Sequence, residues 1–333
     1  MSGGIKIGKT KIKHGLFLAP MAGFTDRAMR IVCHSMGADA AVTEMVSAKA
    51  VCFNDKKTEE LAQIKKDEGP VLLQIFGSDK DTMARAAYSL QAGVGIDGAV
   101  APIAIDINFG CPVNKIFGNG DGSALMKDPE KMYGIVKAVA ESIDIPCTVK
   151  LRAGIDPEHV NAVECALACE SAGAALVAIH GRTRVQMYSG SSDRSIIRSV
   201  KSALRVPVVA NGDITDAKSA LDMLEQTGAD GIMIGRGAVG NPFVFSEIKA
   251  ALDGNEYTQP TAEQRAEIAI RQLELAISAK GEKVAVTEAR KQIALYFKGF
   301  FGSAALRAKI NTAVTLSEVC GYINECVAAG ELN

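Results

Sequence analysis

The chain has 333 residues, 48% hydrophobic and 23% charged, with a formal net charge of −1. That apolar content excludes an intrinsically disordered chain and supplies a sizeable core for one large domain and a smaller one. The near-neutral charge excludes bulk attraction to nucleic acid, so such a partner would have to meet a local cluster of cations.

Met1 to His14 is short, polar and rich in lysine, unlike a secretory leader. Within that stretch Ile5–Lys13 alternates apolar with polar or glycine residues and is expected to form a hairpin. Eight apolar or β-rich runs then follow: Leu16–Met21, Ala40–Val46, Val71–Gly77, Ala104–Gly110, Cys147–Gly154, Ala175–Arg182, Val206–Asp213 and Gly231–Gly237. Segments of helical periodicity lie between them, among them Asp79–Gln91, Pro129–Ser142, Pro157–Ala172 and Ala217–Thr227. Such alternation implies parallel strands joined by helical crossovers. Eight strands over roughly 240 residues favour a closed (β/α)8 TIM barrel over a doubly wound open sheet, and the hairpin would close its bottom. After Gly254 the alternation stops, and Thr261–Lys280, Val286–Phe300, Ala304–Asn311 and Leu316–Ala329 read as helices. Thr261 with Gln264 makes a capping box, and Gly281 fits the end of that first helix. The expected organisation is therefore a barrel over residues 1–254 and a small α-helical domain over 255–333.

No run approaches the roughly 18 apolar residues of a membrane span, so no membrane partner is expected. Eight cysteines are scattered without a disulfide framework, which reads as reduced thiols in a cytoplasmic protein. Cys165 and Cys169 lie four apart in an alanine-rich helix with no partner pair at zinc spacing, so no metal is expected.

Each of the eight runs ends in polar or glycine-rich residues, and such ends converge on one mouth of a barrel. Asn211-Gly212-Asp213 after the seventh run and Gly235-Arg236-Gly237 after the eighth suit a phosphate, which backbone N–H groups and an arginine can hold. Lys150 interrupts an apolar run and needs a negative partner: the N1–C2=O edge of a reduced flavin, a phosphate or a carboxylate. His180 ends the sixth run. Cys111 lies between Gly110 and Pro112, ahead of a glycine-rich stretch, Gly118–Ser123, that could act as a lid. A thiol with an ordinary pKa near 8.5 is mostly protonated at neutral pH and can serve as a general acid. Between Ala289 and Asn311 five cations (Arg290, Lys291, Lys298, Arg307 and Lys309) occur without a carboxylate, as a phosphate-backbone surface would require.

Taken in order, Ala19-Pro20-Met21-Ala22-Gly23-Phe24-Thr25-Asp26, Gln74-Ile75-Phe76-Gly77, Asp106-Ile107-Asn108-Phe109-Gly110-Cys111-Pro112, Lys150-Leu151-Arg152, His180-Gly181-Arg182-Thr183 and Asn211-Gly212-Asp213-Ile214 resemble the tRNA-dihydrouridine synthases. The likeness runs from about residue 12 to 320. It implies an FMN-dependent reduction of the uracil 5,6 double bond in tRNA, with NADPH or NADH as reductant, by an enzyme expected to be monomeric. By the same resemblance Pro20, Met21, Ala22, Gln74, Lys150, His180, Asn211, Gly212, Asp213, Gly235 and Arg236 contact FMN. Asn108, Arg152 and Arg182 address the uracil. Flavin N5 gives hydride to C6, and Cys111 gives a proton to C5. Two features depart from the family's pattern: a longer segment over 93–102, and Asp121 in the glycine-rich stretch. A flavin barrel acting on a free pyrimidine is the competing reading, and the acid-free cationic segment speaks against it.

Overall fold

The computed structural model describes residues 4–94 and 99–328. Its strands are β1 (Ile5–Ile7), β2 (Thr10–Ile12), β3 (Leu16–Leu18), β4 (Ala40–Val42), β5 (Val46–Ser47), β6 (Val71–Phe76), β7 (Ala104–Asn108), β8 (Cys147–Arg152), β9 (Val177–His180), β10 (Val208–Asn211) and β11 (Gly231–Ile234). β1 and β2 form an antiparallel hairpin. The remaining strands are parallel neighbours, and the β3–β4, β4–β6 and β11–β3 pairings close them into an eight-stranded barrel. Its second strand is split into β4 and β5, both of which pair with β6. In the gap, the Glu44 carboxylate accepts the Gly23 N–H from the loop after β3.

The crossover helices start where an aspartate can hold the first free N–H groups. Asp26, Asp79, Asp128, Asp193 and Asp216 cap Arg27–Ser35, Lys80–Leu90, Pro129–Ser142, Arg194–Ala203 and Ala217–Thr227 in this way. The helix expected from Pro157 begins only at Ala162. Asp156 instead accepts the Glu158 and His159 N–H groups and holds residues 156–159 in a turn.

Strand alternation divides the apolar residues between two cores. Ile105, Ile107, Val149, Leu151, Ile179 and Ile234 pack outward with the helices. Phe17, Val42, Leu72, Ala104, Ala178, Val209 and Met233 point inward and meet Ile5, Ile7 and Ile12 of the hairpin, which plugs the N-terminal end of the barrel.

After Gly254, whose left-handed φ of 73° ends the helix Val244–Asp253, come the helices Ala262–Lys280, Glu282–Ile293, Ser303–Thr312 and Leu316–Ala328. The helix expected over Val286–Phe300 tightens into a 3-10 turn at Ala294–Phe297 and stops before Gly299, which adopts φ 95°. These helices share a core of Leu273, Ile293, Tyr296, Phe297, Leu306 and Ile323, which Val32 and Phe243 of the barrel complete. Of the longer segment 93–102, residues 95–98 lie outside the described residues. On either side of them, Gly93 has φ 87° with Val100 folded closely over it, and the Val100 N–H bonds to the Ile64 carbonyl.

Candidate active site

Where the inward side chains approach the C-terminal ends of the strands, they turn polar. Register places Gln74, Asp106 and Thr148 side by side, then Asn108 beside Lys150, then Arg152, His180 and Asn211 in a row. These groups are connected, as buried polar atoms must be. Thr148 Oγ1 donates to Asp106 Oδ1 at 2.6 Å and Gln74 Nε2 donates to Asp106 Oδ2 at 2.7 Å. Asn108 Nδ2 donates to Gln74 Oε1 at 2.8 Å. Asn108 Oδ1 accepts the backbone N–H groups of Gly110 and Cys111 at 3.1 and 2.8 Å.

That last pair folds the chain tightly after β7 and presents Cys111 at the barrel mouth. The thiol is buried, and burial raises its pKa while Arg152 and Lys150 act in the opposite direction. It is therefore protonated at neutral pH. The glycine-rich stretch expected as a lid packs directly on it. Ser123 Oγ donates to the Cys111 carbonyl at 2.7 Å, and a Cβ on Gly122 (φ 60°) would lie 3.0 Å from Cys111 Cβ. Asp121 precedes the 3-10 helix Gly122–Lys127 without capping it.

Two residues expected to address a substrate also brace the loops of the mouth. Arg182 is buried, with Nη1 on Asp213 at 2.7 Å, Nε on the Ser189 carbonyl at 3.0 Å and Nη2 on the Gly190 carbonyl at 2.6 Å. Each guanidinium nitrogen makes at least one bond, and Arg182 thereby joins the loops after β9 and β10. Arg152 binds the Gly110 carbonyl through Nε and the Thr183 and Met187 carbonyls through Nη1. It ties the Cys111 loop to the loop after β9, and among the described residues its Nη2 has no acceptor.

The donors left over define what the mouth can hold. Lys150 has no hydrogen-bond or ion-pair partner among the described residues, and burial, then the Arg152 charge, lowers its pKa to about 8. Burial, followed by the charges of Lys150, Arg152, Arg182 and Arg236, pushes His180 down to about 2, so its ring is neutral. Among the described residues the N–H groups of Gly212, Asp213, Gly235, Arg236 and Gly237 have no acceptor. A Cβ at Gly212 would overlap Ser192, and one at Gly237 would overlap the Ile214 carbonyl, so only glycine allows the backbone this path. Arg236 stacks on Tyr188 at 4.3 Å and lies 3.7 Å from Asp213. Unpaired N–H groups and an arginine make a site for an anion, and the unpartnered ammonium calls for a further acceptor beside it. Pro20, Met21 and Ala22 continue β3 onto the same rim, where Thr25 Oγ1 accepts the Met21 N–H. A separate cleft of about 520 Å³ lies on the barrel's flank, between Val160, Leu167 and Ile196, away from the strand ends.

The five helical-segment cations divide into two groups. Arg290 is half-buried, and its Nε and Nη2 both bind the Ala313 carbonyl. Lys309 pairs with Glu325 at 3.4 Å, so a run free of acids in sequence is not free of them in space. Lys298 and Arg307 are exposed. Lys291 reaches back to the barrel, with its ammonium 4.4 Å from the Phe24 ring on the loop after β3. Sequence reasoning assigned no role to Asp106, Thr148, Ser123 or Ser192. The detectable signal was a carboxylate and a hydroxyl inside otherwise apolar strands.

Comparison with known proteins agrees with this architecture. Among solved structures, histamine dehydrogenase from Rhizobium sp. 4-9 superposes with a TM-score of 0.56 at 14% identity, over 86% of this chain and 50% of that one. A variant of NCR from Zymomonas mobilis gives 0.53 at 15% identity, over 78% and 93%. These likenesses concern the barrel fold. In sequence the chain is 39% identical over 309 residues to a probable tRNA-dihydrouridine synthase of Rickettsia conorii, covering 92% of this chain and 91% of the relative. It is also 39% identical over 295 residues to tRNA-dihydrouridine synthase B of Shewanella oneidensis, covering 88% and 89%. The family profile described as dihydrouridine synthase (Dus) matches residues 17–330. This match spans the barrel and the helices behind it, and the chain belongs to the dihydrouridine synthase family.

Proposed function

We propose that the protein is a tRNA-dihydrouridine synthase that reduces the C5=C6 bond of uridines in tRNA, using bound FMN and NADPH or NADH, as a monomer in the cytoplasm. The observation that carries this reading is a protonated thiol held at the same barrel mouth as an unpartnered ammonium and a row of acceptor-free N–H groups.

The residues present fit FMN. Gly212, Asp213, Gly235 and Gly237 offer backbone N–H groups to its phosphate, and Arg236 adds charge there. Lys150 offers its ammonium to the electron-rich edge of the ring, and Pro20, Met21, Ala22, Gln74, His180 and Asn211 line the remainder. Once reduced, the cofactor supplies the hydride that C6 of the uracil accepts.

The chain's own part is to position the base and deliver the proton. A base reaches the mouth only after leaving its stack. Asn108, at the end of β7, can offer the uracil edge the Nδ2 hydrogen that Gln74 does not take. Cys111 Sγ then gives its proton to C5. The charges of Arg152 and Lys150 stabilise the thiolate that remains, and solvent returns the proton. Around the mouth, Lys291, Lys298 and Arg307 supply phosphate contacts from the helical domain, residues 255–333. Lys309 adds to them only by giving up Glu325.

The test is substrate choice. The purified protein should carry FMN or accept it on reconstitution, and should form dihydrouridine in unmodified tRNA with NADPH while leaving free uridine unreduced. Equal rates on free uridine would favour a small-molecule reductase, and failure to bind FMN would reject the flavin assignment.

A further inference from the structure

Asp106 is a buried carboxylate that the proton-delivery step does not use, yet it stands at the head of the hydrogen-bond chain that ends on Cys111. The polarity of that chain follows from one end. Asn108 Oδ1 accepts two backbone N–H groups, from Gly110 and Cys111, a role only the amide oxygen can fill. Its Nδ2 must then be the atom facing Gln74, which presents Oε1 to it at 2.8 Å. The Gln74 NH2 is thereby directed to the other side, where a buried acceptor is required. Asp106 Oδ2 is that acceptor at 2.7 Å, and its Oδ1 holds the Thr148 hydroxyl at 2.6 Å.

We propose that Asp106 is a positioning residue for Cys111: by accepting from Gln74 it fixes the orientation of two successive amides and so pins the loop that carries the thiol. Its significance for catalysis rests on the reading of Cys111 as the proton donor. The pin itself does not, and it can be measured without turnover.

An acceptor oxygen, more than a charge, is what Gln74 needs. In Asp106→Asn the new amide can keep its oxygen on Gln74 while the Thr148 hydroxyl turns to accept from its nitrogen. Asp106→Leu fills nearly the same space but offers no acceptor. The readout is the rate at which iodoacetamide alkylates Cys111 in the protein as purified, followed on the Cys111 peptide by mass spectrometry. Asp106→Leu should be alkylated about fivefold faster than the native protein and Asp106→Asn within about twofold of it, the size of coupling usual in such networks. A role in packing alone would spare the leucine variant, and a role for charge alone would make the two variants equal. Either result overturns the proposal.

Should the leucine variant fail to fold, Gln74→Glu decides. At low pH the new carboxyl and Asp106 can share a proton and keep the chain intact. As pH rises and the pair loses that proton, the two carboxylates repel each other. Alkylation relative to the native protein should then climb with pH, and adding Asp106→Asn should flatten the climb by supplying a donor to the new carboxylate. A flat profile in Gln74→Glu alone, or a climb that persists in the double variant, contradicts the relay. Full turnover in Cys111→Ala would remove the thiol's role as acid and leave the alkylation result standing, so the two failures are distinguishable.

Discussion

Lys150 shows most directly how one residue reports on the site. Its pKa of about 8 results from burial and the nearby Arg152 charge, which Asp106 and Cys111 only partly offset. A ligand that accepts from the ammonium favours the charged form and raises that value, so binding takes up a proton. FMN affinity for the flavin-free protein should therefore be strongest below about pH 8 and weaken as pH rises above it. Titration with a pH indicator near pH 8.5 should record proton uptake on FMN binding, and Lys150→Met should abolish it. Proton release, or uptake unchanged in the variant, would place the ammonium away from the flavin. Lys150 and His180 could be picked out in the sequence because each interrupts an apolar run at a strand end. The roles of Arg152 and Arg182 could not be read there. Apart from the Asp213 carboxylate on Arg182, their acceptors are backbone carbonyls of loops after β7 and β9, and sequence does not show where a loop's carbonyls point. Asp106 stood in plain view, but its meaning depends on register, which sets it beside Gln74 on β6 and Thr148 on β8.

Among the elements, strands and crossover helices were legible wherever period and cap agreed. The alternation that sends Ile105 and Ile107 outward and Asp106 and Asn108 inward is already present in the order of residues. Boundaries failed where a side chain competed for the backbone, as Asp156 does before Ala162, or where a glycine ended a periodic run, as Gly299 does. The helix Arg27–Ser35 illustrates what holds an element in place beyond its period. Arg30 and Glu68, both buried, meet at 2.6 Å, and Arg30 also holds the Thr25 carbonyl. Removing the cation leaves the buried Glu68 carboxylate with only the longer contact to Arg27 Nε at 3.6 Å, a loss on the order of 3 kcal/mol. Urea unfolding of Arg30→Met should show a loss of that size. A loss below about 1 kcal/mol, the worth of an exposed pair, would mean that Arg27 takes over the pair or that water reaches Glu68. In the helical segment the two kinds of cation should separate in the same way. Lys298→Glu should weaken tRNA binding and lower the salt slope by about one contact or more. Arg290→Ala should instead reduce thermal stability, because its guanidinium holds the Ala313 carbonyl. Equal effects of both variants on the salt slope would contradict this division.

For the whole molecule, the mouth of the barrel and the helical segment form one continuous surface. Lys280 pairs with Asp26 at 2.8 Å, Lys291 covers Phe24, and Leu295 packs against Gly240, so the loops after β3 and β11 are both held from the helical side. On the proposed reading, an RNA bound to those helices lies beside the loops assigned to FMN, and its uridine would be turned out of the stack toward Cys111. Sequence periodicity located both parts, but the contacts joining them become visible only in three dimensions. The most direct test is a single-turnover measurement of dihydrouridine in unmodified tRNA, with FMN already reduced, comparing the native protein with Cys111→Ala. The account predicts rapid conversion by the native protein and a loss of about a hundredfold or more in the variant, the usual contribution of a positioned acid, with FMN content unchanged. Conversion by the variant at a near-native rate would contradict it.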